Sequence, residues 1–132
     1  MRWWIAVLLV GCADPSPEEH YDSLKARVTV ECGGRRIAPC NDTSPIEPAV
    51  ACMQDALDQG MVALYAQSQL TTHGFLNTTS IIAADHEVWS FSDLSDEHGG
   101  FSVYESGPCT GPFSASSRFG CPSLSYSGCP PL

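Results

Sequence analysis

Alternating apolar and polar positions predict a strand near the start of the folded region. Val28, Val30 and Cys32 fall on one side of this stretch, with polar or charged residues between them. A period of two is typical of a strand with one buried face. Gly33 and Gly34 follow directly, and this pair predicts a turn at the end of the strand.

A helical period begins after residue 47. Val50, Met53 and Leu57 form an apolar stripe with spacings of three and four residues, which predicts an amphipathic helix. Pro48 is acceptable in the first turn because its missing N–H has no intrahelical acceptor there. Gly60 favours the end of the helix.

The segments that follow have the composition of strands. Residues 61–70 fit either a continuation of the helix or a strand, and we interpret them as a strand. Two β-branched and aromatic runs flank Asp85 and His86, which tolerate left-handed backbone geometry, so a hairpin is predicted there. The sequence FSVYE at residues 101–105 predicts one more strand. Residues 110–132 are rich in Gly, Pro and Ser, which predicts a coil tail.

The pattern therefore predicts an α+β fold. One main helix packs on a small antiparallel sheet arranged as a meander, and the coil tail follows it. Trp89 and Phe91 lie on one face of a predicted strand and are interpreted as core rather than as a binding surface.

The amino terminus carries a different signal. Arg2 precedes eight apolar residues, a run too short to span a bilayer but suited to the hydrophobic region of a secretory signal. The run ends in Leu9-Val10-Gly11-Cys12, which resembles the lipobox of bacterial lipoproteins. The resemblance implies cleavage before Cys12, a diacylglyceryl group on its sulfur and acylation of the new amino group.

This resemblance divides the chain and suggests where it resides. Residues 1–11 would be the lipoprotein signal peptide, and the proline-containing, acidic residues 12–24 a tether. Residues 25–109 would form the folded domain. Ala13 rather than Asp follows the cysteine, which by analogy with enteric lipoproteins implies the outer membrane.

The remaining cysteines predict disulfide bonds. Six is an even number, an exported protein enters an oxidising compartment, and no C-x-x-C spacing occurs. Fifteen pairings are possible, and we expect short local loops at both ends with a longer link between them. The expected bonds are Cys32–Cys40, Cys52–Cys109 and Cys121–Cys129.

A second resemblance covers residues 52–109. A helix that ends at Gly, followed by strands and a Gly-Gly stretch before a terminal Cys, is similar to small uncharacterised lipoproteins of Gram-negative bacteria. The resemblance implies a fold and no activity. The residues that carry it here are Val88, Phe91, Asp93, Gly99, Gly100 and Cys109.

Charge and side-chain chemistry narrow the function classes. The chain has 15 acidic and 6 basic residues and a formal charge of -9, which argues against nucleic acid as a partner. Asp93, Ser95 and Glu97 alternate as calcium ligands would, but His98 occupies the sixth position, where the calcium loop needs glycine. No metal site, cofactor or catalytic set is therefore predicted.

Three functional hypotheses remain. The favoured one is a lipid-anchored envelope protein that acts as a binding or structural module and is not an enzyme, with the membrane and another envelope protein as partners. The second is a disulfide-rich protease inhibitor that presents Arg35 and Arg36 to a trypsin-like enzyme. The third is a small metal-assisted hydrolase, which would need His73, His86 and His98 to converge.

Overall fold

The structure is a computed structural model that describes residues 15–72, 74–96 and 101–131, with the backbone alone at residues 94–96 and 101–102. Two helices and seven strands are present in these residues. In chain order they are α1 (Pro17–Lys25), β1 (Val30–Ala38), α2 (Glu47–Gln59), β2 (Ala63–Thr71), β3 (Gly74–Ile82), β4 (Val88–Asp96), β5 (Phe101–Cys109), β6 (Phe113–Arg118) and β7 (Cys121–Tyr126).

The predicted fold class is wrong, because the described part of the protein is mostly β, with seven strands and two small helices. Five strands form one sheet in the order β1-β2-β3-β4-β5. The meander from β2 to β5 is antiparallel, as predicted. β1, however, pairs parallel to β2, and α2 is the crossover between them, so the sheet is mixed.

Each face of this sheet has its own apolar cluster. The α2 face, which carries Ala63, Tyr65 and Ile82, packs against α2 and against the β6–β7 hairpin. The opposite α1 face carries Ile81 and Phe91 and is covered by α1. Phe91 is buried, which confirms its interpretation as a core residue, whereas Trp89 is half-buried and packs against the same cluster.

The main helix and the central hairpin form where the sequence predicts them. α2 ends at Gly60, whose φ of 69° is the left-handed geometry that favours glycine at a helix C-terminus. Residues 63–71 form a strand rather than a helical extension. In the turn between β3 and β4, His86 has a φ of 65°, as the turn prediction requires.

The turn predicted at Gly33 and Gly34 is wrong, because β1 runs through both residues to Ala38. The register with β2 shifts between Glu31 and Gly34, which identifies a β-bulge. A Cβ on Gly34 would lie 2.5 Å from the carbonyl oxygen of Ala66, so the two strands approach more closely there than a side chain allows. The glycines therefore permit a bulge within the strand.

The predicted tether is partly helical. Residues 17–24 belong to α1, whose start is capped by the Ser16 hydroxyl, which accepts a hydrogen bond from the Glu19 N–H at 3.2 Å. Leu24 is buried against the α1 face of the sheet. The folded part of the chain thus begins before residue 25, and residues 12–14 lie outside the described residues.

The prediction of a coil tail is also wrong. Residues 113–126 form an antiparallel hairpin, β6–β7, that packs on the α2 face. Phe113 and Leu124 are both buried there. Because this segment is rich in serine, its two buried apolar residues give only a weak strand pattern in the sequence.

All six cysteines from Cys32 to Cys129 form disulfide bonds, as predicted, but each expected pairing is wrong. The bonds join distant elements rather than closing local loops. They are Cys32–Cys52 between β1 and α2, Cys40–Cys121 between the end of β1 and β7, and Cys109–Cys129 between β5 and the segment after β7.

Candidate functional site

An open groove of about 510 Å³ lies beside the hairpin. One wall is the loop that leads into α2, with Thr43, Pro45 and Glu47. The other wall is formed by Ala115 to Ser117 of β6 together with Gly120 and Pro122. All of β6 after Phe113 is exposed, so the groove is bordered by a strand with little cover.

The outer edge of β7 is already occupied. The side-chain amide of Gln67 on β2 accepts a hydrogen bond from the Leu124 N–H at 2.9 Å and donates one to the Leu124 carbonyl at 3.3 Å. Leu124 therefore belongs to the class of residues whose N–H and C=O point away from the partner strand. Pro122 belongs to the same class and has no N–H to offer.

The register also shows which residues of β6 direct their N–H and C=O groups toward β7 and which direct them away from it. Ala115 pairs with Leu124 and Ser117 pairs with Pro122, so the N–H and C=O groups of Ala115 and Ser117 also point away from β7. Phe113 at the start of β6 has its outward N–H bonded to the Gln54 side chain at 2.9 Å. Beyond Phe113, no other strand among the described residues pairs with this edge of β6, which therefore lies open beside the groove.

Arg35 holds the opposite wall in place. Its guanidinium donates hydrogen bonds to the carbonyls of Asp42 and Ser44, at 3.3 and 2.9 Å, and its Nε donates to the Tyr65 hydroxyl at 3.2 Å. The Asp42 carboxylate accepts hydrogen bonds from both the hydroxyl and the backbone N–H of Ser44. Both hydrogen bonds lower the pKa of Asp42, and the bond from the Ser44 hydroxyl has the larger effect. The wall is therefore a braced loop.

A second cleft, of about 370 Å³, lies between α1 and the β3–β4 turn. His20 of α1 contacts Glu105 through Nδ1 at 2.8 Å, and its ring meets Trp89 edge-on at 4.6 Å. Desolvation by burial, followed by the negative charge of Asp85, raises the pKa of Glu87 at the rim. The cleft combines acidic, imidazole and aromatic groups, but its contacts principally fasten α1 to the sheet.

The structure does not present the arginines of the inhibitor hypothesis on a loop. Arg35 and Arg36 lie in β1, both half-buried, and Cys32 and Cys40 do not close a loop around them. The Arg35 guanidinium is bonded as described above. Arg36 lies over the Phe75 ring at 4.8 Å.

The remaining predicted residues are dispersed or lie outside the description. The Nδ1–H of His86 donates to the Leu57 carbonyl at the end of α2, at 2.6 Å, while His73 and His98 are outside the described residues. Asp93 accepts a hydrogen bond from Asn77 at 3.0 Å. The Ser95 side chain, Glu97, the two glycines at 99 and 100 and the lipobox residues 9–12 are outside the described part.

Within the described residues, no group of three or more His, Cys, Asp or Glu side chains could hold a metal ion. None of the described helices has the length and apolar character needed to cross a membrane. No protein-family model, curated protein or solved structure matches this chain. The assignment of a site therefore depends on the geometry of the chain alone.

Sequence reasoning missed both α1 and the open edge of β6. A signal for α1 is present, because Ser16 and Glu19 have the spacing of a capping box, Pro17 occupies the first turn, and Tyr21 and Leu24 share one helix face. For β6, the alternation of Phe113 and Ala115 with serines is a weak strand pattern. No sequence signal indicates which edge of the resulting hairpin stays open.

Proposed function

We propose that the protein is a lipid-anchored component of the bacterial cell envelope that acts as a binding or structural module. The sequence Leu9-Val10-Gly11-Cys12, placed at the end of an apolar run, is the observation that carries this proposal. One acyl chain gives only marginal membrane binding, whereas two or three chains on Cys12 would give a stable anchor.

The disulfide bonds support this proposal independently. Six of the seven cysteines are bonded to one another, so none of the six remains to pair with Cys12. Disulfide bonds persist in compartments outside the reducing cytosol, which agrees with export. Cys12 is thus left outside the three disulfide bonds, as expected for a cysteine that carries acyl chains.

The anchor is tested by expressing the full chain in a Gram-negative bacterium as wild type, Cys12→Ser and the neighbouring control Ala13→Ser. We expect wild type and control to fractionate with membranes and to begin at Cys12 with the added mass of acyl chains. Cys12→Ser should leave the membrane fraction and retain three disulfide bonds. A wild-type protein that begins at Met1 with no added mass would refute the proposal.

We assign the binding role to the groove beside β6, with an extended segment of another polypeptide as the ligand. The open edge would pair with that segment as an added strand, because main-chain hydrogen bonds need no particular side chains. Glu47 on the opposite wall and the formal charge of -9 favour a segment that carries Lys or Arg.

Replacing Ala115 with proline tests this assignment. An outward N–H on an edge strand is a position where proline is tolerated, so the hairpin should persist while pairing is blocked. Linear peptides selected from a phage-displayed library on the wild type should bind Ala115→Pro at least about tenfold more weakly, the equivalent of 1.4 kcal/mol. They should bind the control Ala115→Ser normally. Equal affinity for all three proteins, or selection of no peptide, would reject the groove as the site.

A further inference from the structure

We infer that the end of the sheet that carries Leu70 and Phe75 rests on the bilayer surface, an inference that depends on the proposed lipid anchor at Cys12. Leu70 and Phe75 are direct partners in the register of β2 and β3, so they share the α1 face. Their side chains are 53% and 38% exposed, whereas Ile81 further up the same face is fully buried. We call this pair the apolar tip.

The direction of α1 determines which end of the sheet lies nearest to the proposed anchor. Near its C-terminal end, Leu24 packs with Val62 and Ala83, which lie at the end of the sheet opposite to the tip. One turn earlier, Tyr21 lines a small cleft with Asp93 and Val103. The helix therefore runs diagonally toward β4 and β5, where His20 contacts Glu105 and Trp89, and along the strand direction its N-terminal turn lies nearer to the tip than its C-terminal turn does.

The register gives the distance along the strands. Asp93 pairs with Asn77, and Phe75 is two residues further along β3. Tyr21 also packs against Phe91, with 5.3 Å between ring centroids, and Phe91 pairs with Thr79, four residues from Phe75. At about 3.3 Å per residue, the level of Tyr21 is thus about 7 to 13 Å from the level of the tip. Pro17 lies a further turn of helix before Tyr21.

The chain between the anchor and α1 is short. Residues 13–16 separate Cys12 from Pro17, so even a fully extended connection spans only about 17 Å. A domain held this closely cannot turn freely away from the membrane, and the end nearest to the anchor is the one with the apolar tip.

The chemistry of the tip suits the boundary between lipid headgroups and acyl chains. Apolar side chains enter this region to a depth of about 5–10 Å, and aromatic rings are favoured there. The guanidinium of Arg36, 4.8 Å from the Phe75 ring, supplies a donor for lipid phosphate at the same place. The acidic chain as a whole favours zwitterionic over anionic lipid.

The experiment compares two single-tryptophan additions in the acylated full-length protein. Leu70→Trp places the probe at the tip, and Met61→Trp places it at another partly exposed apolar residue before the opposite end of β2. The two positions are nine residues apart, about 30 Å in extended chain. Both proteins are reconstituted into phosphatidylcholine vesicles with brominated acyl chains, which quench only nearby tryptophan, and Trp89 contributes the same background to both.

We expect Leu70→Trp to lose about half of its added fluorescence, as a side chain at the acyl boundary would, and Met61→Trp to lose none. Equal quenching at both positions, or quenching only at Met61→Trp, would overturn the proposed orientation. Absence of quenching at Leu70→Trp would do the same. If Cys12 still carried the added acyl mass, the proposed lipid anchor would be unaffected by any of these results. Absence of the acyl mass would overturn the inference and the proposed function together.

Discussion

Besides the Cys40–Cys121 bond and the burial of Phe113 and Leu124, one buried amide fastens the hairpin β6–β7 to the sheet, and removal of this amide should be costly. Gln67 is 8% exposed and Leu124 is 4% exposed, so water does not reach their two hydrogen bonds freely. Gln67→Ala leaves the N–H and the C=O of Leu124 without a partner. A buried unsatisfied group costs about 1–3 kcal/mol, so the loss for the two groups is about 2–6 kcal/mol.

The space that the Gln67 side chain leaves determines whether the loss of stability lies in the lower or the upper part of this range of about 2–6 kcal/mol. Gln67→Ala makes room for a water molecule that can bond to Leu124, so we expect the lower part of the range, about 2–3 kcal/mol. Gln67→Leu fills the space with apolar atoms and excludes that water. It should therefore be the more destabilising of the two, although it preserves more of the volume.

Urea unfolding of disulfide-intact protein that begins at residue 12 measures these differences, with fluorescence of Trp89, the one tryptophan after residue 11, as the signal. The matched control is Gln69→Ala, because Gln69 lies on the same strand and the same face, only half-buried, and should cost no more than about 0.5 kcal/mol. If Gln67→Ala were as stable as Gln69→Ala, the amide would not fasten the hairpin. If Gln67→Leu were the more stable of the two Gln67 variants, the unsatisfied groups of Leu124 would not be the cause.

Two further predictions concern charge and cross-links. Because the pKa of Glu87 is raised, its stabilising contribution is present below about pH 4.5, the ordinary value, and is lost as pH rises through the folded-state pKa. Glu87→Gln should therefore be more stable than wild type at pH 7, and this difference in stability should vanish below about pH 4.5. Urea titrations that give the same difference at both pH values would contradict the prediction. In the chain-entropy account a cross-link spanning 81 residues is worth about 4.5 kcal/mol and one spanning 20 about 3.3 kcal/mol. Replacing both cysteines of the Cys40–Cys121 bond by serine should consequently lower the free energy of unfolding by about 1 kcal/mol more than the same change to Cys32–Cys52, and the reverse order would show that native packing outweighs loop closure.

The elements that the sequence predicts well are those whose signals are local. The stripe of Val50, Met53 and Leu57 with Gly60 after it is sufficient to define α2, because one helix face and one stop residue decide its length. The β3–β4 hairpin is equally local, since its two strands adjoin the turn at His86.

The elements that the sequence does not predict depend on contacts between distant segments. The alternation at Val28, Val30 and Cys32 indicates a strand but not its partner or direction, and the parallel pairing of β1 follows only from the crossover through α2. The cysteines were expected to pair with near neighbours, whereas each bond joins elements that meet only in the folded protein. The open edge of the candidate site likewise depends on how Gln67, on a remote strand, meets Leu124.

The connectivity of the cysteines has a consequence for oxidative folding. Cys40 emerges between Cys32 and Cys52, yet its partner follows 81 residues later. A chain oxidised in order of emergence would join consecutive thiols and trap Cys40 with the wrong neighbour. Thiol–disulfide exchange proceeds through mixed disulfides with a free thiolate, so such early bonds must be reopened before the native pairs can form. The yield of native protein from a chain oxidised in this order should therefore depend on a disulfide isomerase rather than on an oxidant alone.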